Sequence, residues 1–185
     1  MPIDLIHTHA RQKGAVLVTT SILLVAILIL GLVAIMVARS ELKISGNLQY
    51  QTAALDQAET AVAAAETWLK TGTNFSKAAF TARGANDLHL YPAGHLNGSS
   101  SDRDPLRMSW NDNNSLAVAS AGPRYLIERI ASGKSIEGSS NDKTRINLYR
   151  IIARGESARG SVRFVQTIFS VRCFDVEQKL CSDYN

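Results

Sequence analysis

Between Lys13 and Arg39 the chain carries no charged residue. From Ala15 to Ala38 it consists of Val, Leu, Ile, Ala and Met, relieved by Thr19, Thr20, Ser21 and Gly31. As a helix, a segment of this length spans roughly 36 Å, against a bilayer core of about 30 Å. A cleaved secretory signal has a shorter apolar core and small residues before the cut. Here Met36 and Leu32 stand where small residues would be wanted. A buried core helix would show a polar face, and this run has none. The segment reads as a single membrane span over residues 15–38. Arg11 and Lys13 precede it, which places residues 1–14 in the cytoplasm and the bulk of the chain outside. Arg39 and Lys43 follow it with Glu41 between them, so the charge asymmetry is moderate.

The helical pattern continues past the span, over residues 39–71. Leu48, Leu55, Val62 and Leu69 recur every seven residues, and Ala58 and Ala65 lie three further on, with Gln51 as the polar exception. This stripe predicts a helix face packed on its own domain, or a short coiled coil. The Ala-rich stretch from Ala53 to Ala65 favours helix. Ser45-Gly46-Asn47 predicts a kink or a locally melted turn, and Gly72 predicts the stop.

Residues 72–122 are rich in turn formers, including Asn97-Gly98-Ser99-Ser100-Ser101 and Asn111-Asp112-Asn113-Asn114. Alternation at Leu106, Met108 and Trp110 suggests a short strand there, and Leu116-Ala117-Val118 another. From Pro123 the pattern becomes sheet-like. Residues 125–130, 145–154 and 161–172 read as three strands, with a hairpin turn at 155–160. In the last of them Val165, Thr167, Phe169 and Val171 share one face, opposite Phe164 and Ile168. The apolar face of such a meander needs a cover, and the helix stripe is the sizeable partner available. The expected fold is therefore α+β, a long helix on a small antiparallel sheet. Residues 123–185 form the sheet and a C-terminal loop framed by Cys173 and Cys181.

The start of the span now carries weight. Arg11-Gln12-Lys13-Gly14-Ala15-Val16-Leu17-Val18 is a short basic leader ending in Gly, directly followed by a long apolar helix whose second half is amphipathic. It resembles a type IV pilin-like signal. The resemblance implies that prepilin peptidase cuts after Gly14, where a side chain would crowd its cleft. It also implies that the new N-terminus, Ala15, is methylated and that the span is retained. Within that superfamily the chain resembles PilX-type minor pilins. This rests on the Gly-Ala-Val-Leu start, Ser45-Gly46-Asn47, the run Ala53-Ala54-Leu55-Asp56-Gln57-Ala58-Glu59-Thr60-Ala61, and a late Tyr149-Arg150-Ile151-Ile152-Ala153-Arg154-Gly155 followed by a second strand.

Major pilins carry Glu at the fifth mature position, which here is Thr19. In the family that carboxylate pairs with the N-terminal amine of a neighbouring subunit. A lone carboxylate in lipid is costly, and a tip subunit has no amine above it to neutralise. Two readings of Thr19 stand: placement at or near the filament tip, or a tolerated residue whose hydroxyl bonds back to a helix carbonyl. The resemblance further implies partners: other minor pilins, the major pilin, prepilin peptidase and the inner-membrane assembly platform. It implies an inner-membrane protein with a periplasmic head that becomes extracellular in the pilus. Its uses would be adhesion, DNA uptake or twitching motility.

A head outside the cytoplasm lies where disulfides persist, so Cys173 and Cys181 read as a disulfide, with free or metal-binding thiols as the alternative. The resemblance points the same way, since pilins often staple a C-terminal loop. No nucleotide, zinc-protease or nucleophile-elbow motif occurs, and no cofactor or enzymatic activity is expected. His7 and His9 lie in the leader; His89 and His95 read as surface loop residues rather than metal ligands. Asp102, Asp104 and Asp112 lack calcium-loop spacing and read as turn formers. The net charge is +4, and Arg124, Arg129, Lys134, Lys143, Arg145, Arg150, Arg154, Arg159, Arg163 and Arg172 crowd the last third. A DNA-binding face is a minor reading beside a solvated strand surface. The rivals to a minor pilin are a K-type pseudopilin of type II secretion, a tip adhesin or DNA receptor, and an unprocessed single-span periplasmic protein.

Overall fold

A computed structural model describes residues 13–72, 74–76, 80, 89–98, 100–120, 122–135 and 144–174. The chain divides into two compact units, Met1–Leu48 and Gln49–Asn185. One helix, α1, runs from Lys13 to Lys70. Its first part, through Leu48, makes up the described portion of the first unit. Ser45, Gly46 and Asn47 keep helical structure, so the expected melted turn is not formed. The Gly46 penalty of about 1 kcal/mol is spread over a long run of good helix formers.

The second unit begins with the remainder of α1. Its buried residues are Ala54, Ala58, Ala61, Ala65 and Leu69, each with no exposed surface. These follow one another at three- and four-residue steps along one helix face. The expected Leu48–Leu55–Val62–Leu69 packing stripe is thus corrected at its upper end. Leu48 is 56% and Leu55 38% exposed, Val62 is half-buried, and only Leu69 is fully buried. The reason is the distance between layers: the sheet comes so near that alanines, not leucines, fit beneath it.

The helix stops after Lys70. Thr71 N–H and Asn74 Nδ2 both donate to the Trp68 carbonyl, at 3.2 and 2.9 Å, satisfying an acceptor the last turn leaves open. Gly72, at φ 56°, supplies the left-handed residue that ends such helices. A 3₁₀ turn follows at Asn74–Ser76.

Five strands form one sheet: β1 (Leu90–Tyr91), β2 (Leu116–Ala117), β3 (Arg124–Ser135), β4 (Thr144–Glu156) and β5 (Val162–Phe174). The path is β1-β3-β4-β5, with β2 also on β3. The three long strands are the antiparallel meander expected from the sequence, each extended by a few residues. Leu116-Ala117 forms strand as expected. The sheet is mixed, however, because β1 joins β3 in parallel, Leu90 opposite Ile127. The hairpin between β4 and β5 turns at residues 157–161, where Ser157 N–H donates to the Ser161 carbonyl at 2.9 Å. Within β3 the register slips between Arg129 and Lys134, and buried Asn147 on β4 accepts the Gly133 N–H at 2.9 Å.

Both faces of the sheet are covered. On the helix side the core comprises Ala58, Ala61, Ala65, Leu69, Phe80, Leu90, Tyr125, Ile127, Tyr149, Ile151 and Ala153, with Val165, Phe169 and Val171 packed against it. This is the strand face the alternation predicted. On the other side Leu126 and Ile152 pack with Tyr91, Leu96 and Met108, and with half-buried Trp110. That second core comes from the loop-rich connection, which had been expected to contribute a strand at Leu106–Trp110. There the backbone makes a helical turn instead, with the Arg107 and Met108 N–H groups donating to the Asp104 carbonyl at 3.0 and 2.8 Å. The Asp104 side chain caps it by accepting the Leu106 N–H at 3.0 Å.

Candidate functional site: the apolar helix surface and the two faces of the head

In the first unit the large apolar side chains from Val16 to Val37 are each between 51% and 72% exposed. So contiguous an apolar surface marks an interaction with lipid or with other apolar surfaces. Its polar atoms are turned inward. Thr19 Oγ1 donates to the carbonyls of Ala15 and Val16, at 3.1 and 2.9 Å. Thr20 Oγ1 donates to those of Val16 and Leu17, both at 3.0 Å. The methyl groups are what both residues offer a partner. The helix is long and apolar enough to cross a membrane and is a candidate anchor. Gly14 and Ala15, the predicted processing pair, lie in its first turn. A Cβ at Gly14 would meet nothing within 4 Å, so the fold places no demand on glycine there. Residues 1–12, with His7 and His9, lie outside the described residues.

In the second unit the sheet comes against the helix backbone at Gly155 on β4. A Cβ built there would stand 2.0 Å from the Ala54 carbonyl oxygen, 2.6 Å from the Ala58 nitrogen and 3.0 Å from the Gln57 Cβ. The strand therefore rests on the helix backbone, and its glycine is required by space.

The loop face is held by a buried ion pair. Glu128 and Arg150 are opposite each other on β3 and β4. Glu128 is 1% exposed; its Oε2 accepts from Arg150 Nη2 and its Oε1 accepts the Leu96 N–H at 2.9 Å. Arg150 Nη2 also donates to the Leu96 carbonyl at 2.6 Å. Both backbone groups of Leu96 are thus fixed by two strand side chains. Charge-assisted bonds of this kind are stronger than neutral ones.

Several other charged residues make contacts within this unit. Arg124 pairs with Asp112, and its Nε donates to Ser115 Oγ at 2.9 Å. Arg154 pairs with Glu156 at 2.7 Å, Arg129 is buried, and Arg159 lies over the Tyr50 ring at 4.9 Å. Lys134, Arg163 and Arg172 are exposed; Lys143 lies outside the described residues. The Asn111 and Asn114 side chains are engaged as turn formers: Asn111 Oδ1 accepts the Asn113 N–H at 2.9 Å and Asn114 Oδ1 the Asn111 N–H at 3.1 Å. His89 departs from its expected place at the surface. It is 8% exposed, edge-on to Trp68 at 5.3 Å and to Tyr125 at 5.5 Å. His95 stacks on Tyr91 at 5.0 Å. Burial pushes the Tyr125 phenol up to about 12. Among the described residues no group of His, Cys, Asp and Glu is placed to hold a metal. Cys173 is the last residue but one of β5, opposite Arg145, and Cys181 lies outside the described residues, so the expected bridge does too.

Sequence reasoning missed Glu128–Arg150 and Gly155. A carboxylate in the apolar strand Tyr125–Ile130 was the available signal for the first. A glycine ending the long strand 145–154 was the signal for the second. A family model described as type IV pilus assembly protein PilX C-term matches residues 52–171. The chain belongs to the PilX family of type IV pilus assembly proteins. No curated protein and no solved structure gave a match. The matched region starts inside α1 and ends in β5, so it contains the helix–sheet contact at Gly155, the Glu128–Arg150 pair and both cores. PilX membership gives this chain a role in type IV pilus assembly.

Proposed function

We propose that this PilX-family chain is a minor pilin that primes assembly of the pilus and enters it at or near the tip. The observation that carries the reading is residue 19. The exposed apolar helix presents a threonine with its hydroxyl bonded to its own backbone, at a position where the resemblance to pilins expects a carboxylate. Such a helix has no carboxylate to neutralise when it leaves the bilayer. It needs no subunit above it, whereas an unpaired carboxylate in lipid would be expensive.

In this reading residues 1–14 are a cytoplasmic leader, removed after Gly14 by prepilin peptidase, and Ala15 is methylated. Residues 15–38 are first the membrane span and then part of the filament core. The head, held outside the inner membrane, packs among other minor pilins and the major pilin as the assembly platform extracts the group. Adhesion and motility follow from the filament.

The test is a chromosomal deletion complemented with wild-type or Gly14→Val chains. The expected result is few or no surface pili in the deletion and in the Gly14→Val strain. In the wild type, immunogold label should concentrate at filament ends. Normal piliation in the deletion would remove the priming role, and label spread evenly along shafts would remove the tip placement.

A further inference from the structure

An asparagine amide can be attacked by the backbone nitrogen of the residue that follows it. Whether it is attacked depends on how much room that residue leaves and on what already holds its N–H. We propose that Asn97 is a site of spontaneous deamidation, converted on the folded head through a cyclic imide to aspartate and isoaspartate.

The reaction balances with water as its one co-reactant. The Gly98 nitrogen gives its proton to solvent base and attacks Asn97 Cγ. A C–N bond forms, the Cγ–Nδ2 bond breaks, and the side-chain nitrogen takes up a proton and leaves as ammonia. Water then opens the five-membered imide at either carbonyl. Opening at Cγ leaves an aspartate in an ordinary main chain. Opening at the main-chain carbonyl routes the chain through the former side chain, as isoaspartate.

The first observation is room. Asn97-Gly98 is the one Asn-Gly pair in the sequence. Gly98 has φ 71°, and a Cβ built on it would meet nothing within 4 Å. The attacking nitrogen therefore carries no side chain beside it and belongs to the residue with the freest backbone.

The second is that the attacking N–H is uncommitted. Among the described residues the Gly98 N–H has no hydrogen-bond partner. The asparagines nearby differ. After Asn113, the Asn114 N–H donates to the Asn111 carbonyl at 3.2 Å; after Asn114, the Ser115 N–H donates to the same carbonyl at 3.1 Å. Asn47 lies within α1, and Asn147 is buried within β4. In these places attack would first have to break a hydrogen bond or an element.

The third is position. Asn97 and Gly98 are exposed, so water reaches both the amide and the imide. Leu96, one residue earlier, is buried, and Glu128 and Arg150 hold it by both backbone groups. The turn that follows is closed by the Arg103 and Asp104 N–H groups on the Ser100 carbonyl, each at 3.0 Å. The extra main-chain methylene of isoaspartate thus falls between two fixed points, in exposed loop. The reaction needs no unfolding, and its product keeps the fold with one added negative charge.

The experiment incubates the detergent-solubilised full chain at mildly alkaline pH in heavy-oxygen water, which labels every imide that opens. Peptide mapping by mass spectrometry locates the label, and methylation by an isoaspartyl methyltransferase counts isoaspartate. A synthetic peptide of residues 93–102 gives the rate without the fold. Label is expected at residue 97, with isoaspartate among the products, at a rate within roughly tenfold of the peptide's, as for an exposed loop that needs no global opening. Gly98→Ala should slow it by about tenfold or more in chain and peptide alike, because a methyl group beside the nitrogen hinders attack. Asn97→Gln would need a larger ring; it should abolish the label while the dichroism spectrum stays that of wild type. A chain unlabelled at residue 97 while the peptide converts would overturn the assignment. So would label at Asn113, Asn114 or Asn147 as fast as at Asn97, or conversion unchanged in Gly98→Ala.

Discussion

Replacing Gly155 with alanine tests how closely strand and helix approach. The new Cβ would lie 2.0 Å from the Ala54 carbonyl oxygen, about 1.4 Å short of the 3.4 Å at which ordinary contact begins. The Ala58 nitrogen, at 2.6 Å, blocks movement along the helix. Both obstacles are helix backbone, so no rotamer change relieves them, and β4 has to lift from α1. Lifting loosens the alanine face Ala54–Ala58–Ala61, which is fully buried. Overpacked cores lose about 1–3 kcal/mol where side chains can adjust. With a backbone obstacle the expected loss is at the upper end, about 3 kcal/mol. For a unit of this size that lowers Tm by roughly 10 °C. Thermal unfolding of the detergent-solubilised chain, followed by far-ultraviolet dichroism, measures it. Gln166→Ala, on the exposed outer strand, serves as the control and should stay within about 0.5 kcal/mol of wild type. A second change, Ala54→Gly, should not rescue Gly155→Ala, because it leaves the obstructing carbonyl in place. A Tm within 2 °C of wild type, on the scale of roughly 3 °C per kcal/mol, would refute the close approach. Full rescue by Ala54→Gly would refute the claim that backbone is what obstructs.

Glu128→Ala strands the Arg150 charge and the Leu96 N–H, and should cost about 3–5 kcal/mol by chemical denaturation. The double change Glu128→Leu with Arg150→Met should recover much of that, because a well-packed apolar pair replaces a desolvated ionic one. Tyr125 carries a phenol whose folded value, about 12, lies above its ordinary 10. Between those values the unfolded chain has given up a proton that the folded chain keeps. This contribution is therefore fully present below pH 10 and is lost as pH rises to 12, with a slope of about 1.4 kcal/mol per pH unit. Denaturation at intervals from pH 8 to 11.5 should show Tyr125→Phe losing less stability than wild type. Intact-mass measurement of membrane-extracted protein should show loss of residues 1–14 and one added methyl at Ala15 when prepilin peptidase is present. An unshortened chain with and without the peptidase would end the pilin processing scheme.

What the sequence made legible were features that repeat. The uncharged run from Ala15 to Ala38, the helical continuation to Lys70 and the last two long strands each declare themselves over ten or more residues, and the strand at 125–130 over six. Period and length are read there without knowledge of what lies opposite. The family resemblance was legible for the same reason, in a leader, a helix and a strand pair. Features that depend on one contact were not. Seven-residue leucine spacing suggested the packing face, but which face is used depends on how near the sheet lies. That distance is fixed by Gly155, which lies far along the chain from Ala54. Where the layers nearly touch, alanine is the larger residue that still fits, so Leu55 turns outward beside buried Ala54 and Ala58.

The same logic explains the turn at Asp104–Met108. Its alternating Leu106, Met108 and Trp110 imitate a strand, yet Leu106 is 69% exposed while Met108 is buried. An aspartate that can cap the turn decides against extended structure there, and Pro105 cannot donate to a neighbouring strand. β1 was invisible because two residues, Leu90 and Tyr91, carry no period; their parallel pairing exists only because β3 has an edge free to receive them. Glu128 shows the limit most plainly. In sequence it is a charge interrupting an apolar strand, which reads as a solvent-facing position. Its burial becomes affordable only when Arg150 arrives from β4 and Leu96 from the connection. Each of those partners is separately unremarkable in sequence. The irregular connection between helix and sheet is thereby bound to the regular part of the head.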